Sequence, residues 1–115
     1  MADHRPADDD VAARAAEIRA EADEALRGLT PDASLCAISR EGRSFPAGKF
    51  HEGRGYAAAE VLRGLRRGMS PREAVDAAWD RWSIVAPLPR RTAPDWAAYG
   101  AGGDDVLAEL LELAG

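Results

Sequence analysis

The chain has 115 residues, 46% of them apolar, and a formal net charge of −5. Two complete domains do not fit in that length, and no run approaches the roughly 18 uninterrupted apolar residues of a membrane-spanning helix. The single cysteine, Cys36, rules out an intramolecular disulfide and leaves no second thiol for a paired metal site.

Twenty-five of the apolar residues are alanine, which favours helix but buries little area, so the larger side chains must supply the core. Fourteen arginines against one lysine, Lys49, point to a GC-rich, bacterial-like coding sequence. The acidic start lacks the basic region and apolar run of a secretory leader, and a cytoplasmic location is the expectation. Charge is unevenly spread. Residues 1–39 hold nine acids and four bases, residues 40–72 three acids and eight bases, and residues 73–115 eight acids and three bases, giving −5, +5 and −5. A basic middle of this kind either binds an anion or is neutralised by its own acidic flanks.

Residues 1–10 read as a disordered polar N-terminus ahead of one helical domain over 11–115. Val11, Ala15, Ile18, Ala22, Ala25 and Leu29 then follow steps of four and three, which places all six on one helix face. Gly28 and Thr30-Pro31 end that helix. The stripe is narrow and rich in alanine, suited to close packing against a helix of this chain or of a second copy.

Leu35 to Phe45, broken by Glu41-Gly42, reads as a short β-hairpin whose edge is a second opening for dimerisation. Pro46 to Gly55 shows no apolar period and contains three glycines, which predicts a loop. Two helices joined by a tight turn come next, Tyr56 to Gly68 and Ser70 to Trp82. Gly68 is placed for a left-handed cap, and Ser70-Pro71-Arg72-Glu73 has the form of a capping box with proline at the first helical position. Ala58, Val61, Leu62 and Leu65 form the inner face of the first, and Val75, Ala78, Trp79 and Trp82 that of the second. Prolines 87, 89 and 94 and glycines 100, 102 and 103 predict an irregular connection over 83–103, leaving a terminal helix over 104–114.

Several motifs suggest chemistry. Gly42 and Gly48-Lys49 echo a phosphate-binding P-loop, but the glycine spacing is one residue too long and Phe50 stands where a hydroxyl would hold Mg²⁺. A weaker possibility is an anion held by free N–H groups where Gly53-Arg54-Gly55 enters a helix, with Lys49 and Arg54 adding charge. Cys36 and His51 lack a third, orienting group for nucleophilic catalysis, and His4, His51 and Glu52 have no metal-ligand spacing. The helix pair resembles a helix-turn-helix, yet its second helix carries Glu73, Asp76 and Asp80 against Arg72 and Arg81, so its outer side is too acidic to read DNA.

The expected fold is therefore mainly α with a minor β element: helix, hairpin, central helix pair, irregular segment and C-terminal helix. The expected function is that of a small non-enzymatic interaction, adaptor or regulatory module, with a protein partner or self-association as a homodimer. Two alternatives accompany it: a binder of a phosphate-bearing ligand or nucleic acid through residues 40–72, with nucleic acid disfavoured, and a small enzyme using the 46–55 loop. Candidate anion-binding residues are Lys49, His51, Arg54, Arg63, Arg66 and Arg67. Candidate partner-binding residues are Leu107, Leu110 and Leu111. No cofactor, metal or membrane is implied.

Overall fold

A computed structural model describes residues 6–29, 46–85 and 94–115. Four helices account for nearly all of them: α1 (Pro6–Leu29), α2 (Pro46–Arg66), α3 (Pro71–Val85) and α4 (Pro94–Ala114). The protein is mainly α, and no strand occurs among the described residues. The expected hairpin at 35–45, with Cys36, lies outside them.

The stripe on α1 packs largely as its spacing requires. Val11, Ala15, Ile18 and Ala22 are buried, Ala25 is half-buried and Leu29 is exposed. This face is spent inside the chain, chiefly against α2, so it is not free for a second copy. Helix α1 begins at Pro6, so residues 6–10 are helical where a disordered start was expected. Proline suits a first turn, and an acidic sequence after it favours the positive helix start.

The turn between α2 and α3 matches its sequence signals in detail. Gly68 has φ 90°, and the Met69 N–H donates to the Gly64 carbonyl at 3.1 Å, the long bond of a Schellman cap. Across the turn the Glu73 N–H donates to the Ser70 hydroxyl at 3.2 Å while the Ser70 N–H donates to the Glu73 carboxylate at 2.9 Å. The capping box is therefore closed in both directions.

Two expectations need correction. Residues 46–55 are not a loop but the first turns of α2, and the predicted irregular span 83–103 is helical over 83–85, at the end of α3, and again from Pro94 onward. The cause is shared, because Gly53 and Gly102, two of the glycines taken as loop signals, lie where α2 and α4 cross. A Cβ on Gly53 would overlap the Tyr99 carbonyl, and one on Gly102 would overlap the Phe50 carbonyl. Interior glycines each cost a helix about 1 kcal/mol, and here they allow two backbones to approach closely. Gly103 does the same for the contact of α4 with α3 by leaving room for the Trp82 indole.

That indole anchors the core. Its ring lies 5.1 Å from Tyr99 and 6.0 Å from Tyr56, and its Nε1–H donates to Asp104 at 2.9 Å. Burial satisfies both the aromatic body and the polar edge. Trp79 is only partly buried. The same buried core includes Val61, Val75, Val106, Leu107 and Leu110.

Candidate anion-binding cleft

The sequence-derived basic residues separate into two groups. Lys49 and Arg54, on the first half of α2, are absorbed by the fold. Lys49 pairs with Glu52 at 3.4 Å and stands 4.6 Å over the Trp96 ring, its side chain 12% exposed. Arg54 binds Asp105 of α4, reaches Glu21 of α1 at 4.0 Å and lies over Phe50, its side chain 14% exposed. It ties three helices together. His51 sits beside them against Phe50, ring to ring at 5.6 Å. The proposed anion site at Gly53-Arg54-Gly55 loses its basis, because those residues lie inside α2, where N–H groups bond within the helix.

The partner-binding leucines are likewise internal. Leu107 and Leu110 are fully buried in the chain's own core, and Leu111 is partly buried against it. A short apolar helix alone looks like a docking tag, but α4 is long and already has its partner in α2.

Arg63, Arg66 and Arg67 behave differently. Arg63 and Arg66 occupy the last turn of α2 and Arg67 follows directly after it, where the negative end of the helix dipole favours cations, and all three are exposed. Arg66 and Arg67 make no ion pair among the described residues. Beside them a cleft of about 200 Å³ opens between α2 and α3. Glu60, Arg63 and Gly64 line it from α2, Arg67 and Met69 from the turn that follows, and Ala74, Ala77, Ala78 and Arg81 from α3. Each wall runs in steps of three, one and three, so it is one stripe of one helix, continued on the α2 side by Arg67. Gly64 and the alanines are too small to fill the space between the stripes. The helices are in contact at the floor, where a Cβ on Gly64 would lie 3.0 Å from the Ala74 Cβ.

Glu60 is the one buried charged residue among those described, its side chain 8% exposed. Arg63 donates to its Oε1 at 3.0 Å, and Arg81 stands at a looser 3.9 Å from Oε2. A carboxylate offers about four acceptor positions, so one close hydrogen bond leaves Glu60 under-coordinated. Three guanidinium groups face one carboxylate, an excess of two positive charges around a cavity with small apolar walls. This geometry can receive an anionic group with a slender apolar stem.

Glu60, Arg81, Met69 and the alanine wall escaped the sequence reading. A signal for them exists in the matched stripes Glu60, Arg63, Gly64, Arg67 and Ala74, Ala77, Ala78, Arg81. The α3 stripe overlaps the core, since Ala74 and Ala78 are buried in it, while Ala77, Arg81, Arg63 and Arg67 lie outside it. Comparison with protein-family models, with curated proteins and with solved structures finds no match to this chain.

Proposed function

We propose that the protein is a small non-enzymatic interaction module that takes an acidic segment of a partner protein on the face formed by the end of α2 and by α3. The observation carrying this reading is the cleft, where Arg63, Arg67 and Arg81 outnumber the single carboxylate of Glu60. Arg66 extends the same positive edge along α2. Because the chain as a whole is acidic, this end is a local exception, and opposite charge would orient an acidic partner toward it.

A peptide suits the face better than a nucleic acid. Phosphate backbones need charge along an extended track, whereas Glu73, Asp76 and Asp80 on α3 break it on one side. The test is fluorescence anisotropy with a labelled glutamate-rich peptide and, in parallel, labelled single- and double-stranded DNA. The reading expects peptide binding that weakens between about 50 and 200 mM salt, no comparable DNA binding, and a loss of roughly fivefold or more in Arg63→Ala/Arg67→Ala. Tighter binding of DNA would transfer the function to nucleic acid, and no binding of either probe would dismiss the basic face as a site.

A further inference from the structure

We infer that the α2–α3 cleft seats a single glutamate side chain of the acidic partner, held between Arg67 and Arg81, and that Glu60 acts as an internal competitor for Arg81. The inference rests on the interaction reading above and adds the residue type recognised and the device that limits its affinity.

Size comes first. The cleft holds about 200 Å³, below the roughly 300–1,000 Å³ of pockets that enclose drug-sized ligands and above the ~150 Å³ of a cavity that takes benzene. One side chain fills it. Wall chemistry narrows the choice. Ala74, Ala77, Ala78 and Met69 offer methyl and thioether contacts to a methylene stem, while the arginines meet a carboxylate. An inorganic phosphate satisfies only the arginines and gains nothing from the apolar wall.

Charge then assigns the roles. Arg63 is committed to Glu60 at 3.0 Å. Arg67 has no ion pair among the described residues, and Arg81 holds Glu60 only at 3.9 Å. An incoming carboxylate therefore finds one unpaired guanidinium just after α2 and one loosely paired guanidinium on α3, and it gains Arg81 by displacing a contact that is already long. The Glu60 carboxylate resists this in two ways, by retaining Arg81 and by repelling a second anion close by. Glu60 itself is a glutamate seated among these arginines, so the site already displays the recognition it would offer.

The experiment measures affinity of the full chain for a labelled glutamate-rich peptide by anisotropy, with circular dichroism of each variant to establish that it is folded. Glu60→Gln keeps the side-chain shape and a hydrogen-bond acceptor for Arg63 but removes the competing charge, and should tighten binding about two- to fivefold, the scale of a partly exposed ion pair. Asp23→Asn, an exposed position on α1, changes net charge equally and should leave affinity nearly unchanged. Arg81→Ala should weaken binding to a similar degree. Ala77→Leu, half-buried on the cleft wall, fills the seat without altering charge and should abolish the preference for the peptide over its aspartate-rich counterpart.

Peptide binding that responds to Arg66→Ala but ignores Glu60→Gln and Ala77→Leu would overturn the seat while leaving the basic face as the interaction surface. Absence of any peptide binding would overturn both. Equal tightening by Glu60→Gln and Asp23→Asn would reduce the effect to net charge and also remove the competitor role.

Discussion

Replacing Gly102 by alanine should destabilise the protein, while the same replacement two residues earlier, at Gly100, should stabilise it. Glycine to alanine in a helix interior gains about 1 kcal/mol wherever the new methyl has room. At Gly100 no heavy atom lies within 4 Å of the added Cβ, so the variant keeps most of that gain. At Gly102 the Cβ overlaps the Phe50 carbonyl and comes within 3.1 Å of the Arg54 nitrogen. Both obstacles are backbone and cannot rotate aside. Raising the Phe50 contact to an ordinary C···O separation of about 3.3–3.6 Å requires α2 and α4 to part by roughly 1.2–1.5 Å. A gap of that size forfeits about half or more of the dispersion attraction along the seam. Overpacking of this kind costs about 1–3 kcal/mol and this case belongs at the upper end, giving a net loss near 2 kcal/mol after the helix gain. The two variants should therefore differ by about 3 kcal/mol, roughly 10 °C in Tm for a chain of this size. Urea melts followed by circular dichroism and by tryptophan fluorescence measure the difference directly. A Gly102→Ala variant as stable as Gly100→Ala would falsify the helix crossing.

Four further predictions rest on the described contacts. Ser70→Ala removes the hydroxyl that caps α3 and should cost about 1 kcal/mol. The Ser70 N–H and then its hydroxyl hold the Glu73 carboxyl below the ordinary carboxylate range. The charged cap therefore stabilises at neutral pH and is lost as pH falls through that lowered value, so the stability gap between the parent chain and Glu73→Gln should close in acid. Truncation after Gly103 removes Val106, Leu107 and Leu110, all fully buried. At about 1.5–3 kcal/mol each they represent roughly 5–9 kcal/mol, comparable to the ~5–15 kcal/mol that holds a domain together, so the shortened chain should be unfolded by circular dichroism. Arg54→Ala breaks the links to Asp105 and Glu21 and should lower stability by about 1–2 kcal/mol while leaving peptide affinity unchanged. A loss of affinity without a loss of stability would return Arg54 to the binding surface.

Legibility in the sequence depended on how far apart the interacting residues lie. The turn from Gly68 to Glu73 is complete within six positions, and its cap residues have few other uses, so sequence and structure agree there. The stripe from Val11 to Ala22 is legible for the same reason, since a helix face is a local property. Gly53 and Gly102 are not. A glycine marks either a turn or a close approach, and the distinction rests on a partner about fifty positions away in the chain. Without that partner the turn reading follows from the local pattern, which is how residues 46–55 came to be expected as a loop. The leucines of α4 illustrate the complementary ambiguity: an apolar stripe requires burial but does not say against what, and the length gained from Pro94 onward is what brings it onto α2.

The charged middle shows how packing changes the meaning of composition. As sequence, the excess of five positive charges over residues 40–72 is one block. In the fold its described members divide at the midpoint of α2. Lys49 pairs with Glu52 of its own helix and stands over Trp96 of α4, while Arg54 meets Asp105 of α4 and Glu21 of α1, so its charge is consumed in holding α2 to its neighbours. Arg63, Arg66 and Arg67 lie beyond the crossing, where no neighbouring helix supplies a matching set of acids, and one buried carboxylate, Glu60, is left to offset them together with Arg81. A surface designed only for solubility would scatter such charges. Here Arg63, Arg67 and Arg81 border a cavity whose walls above the Gly64–Ala74 contact are lined by small residues. That combination, unspent positive charge beside unfilled apolar space, is what favours a ligand at this end of the molecule over a purely structural role.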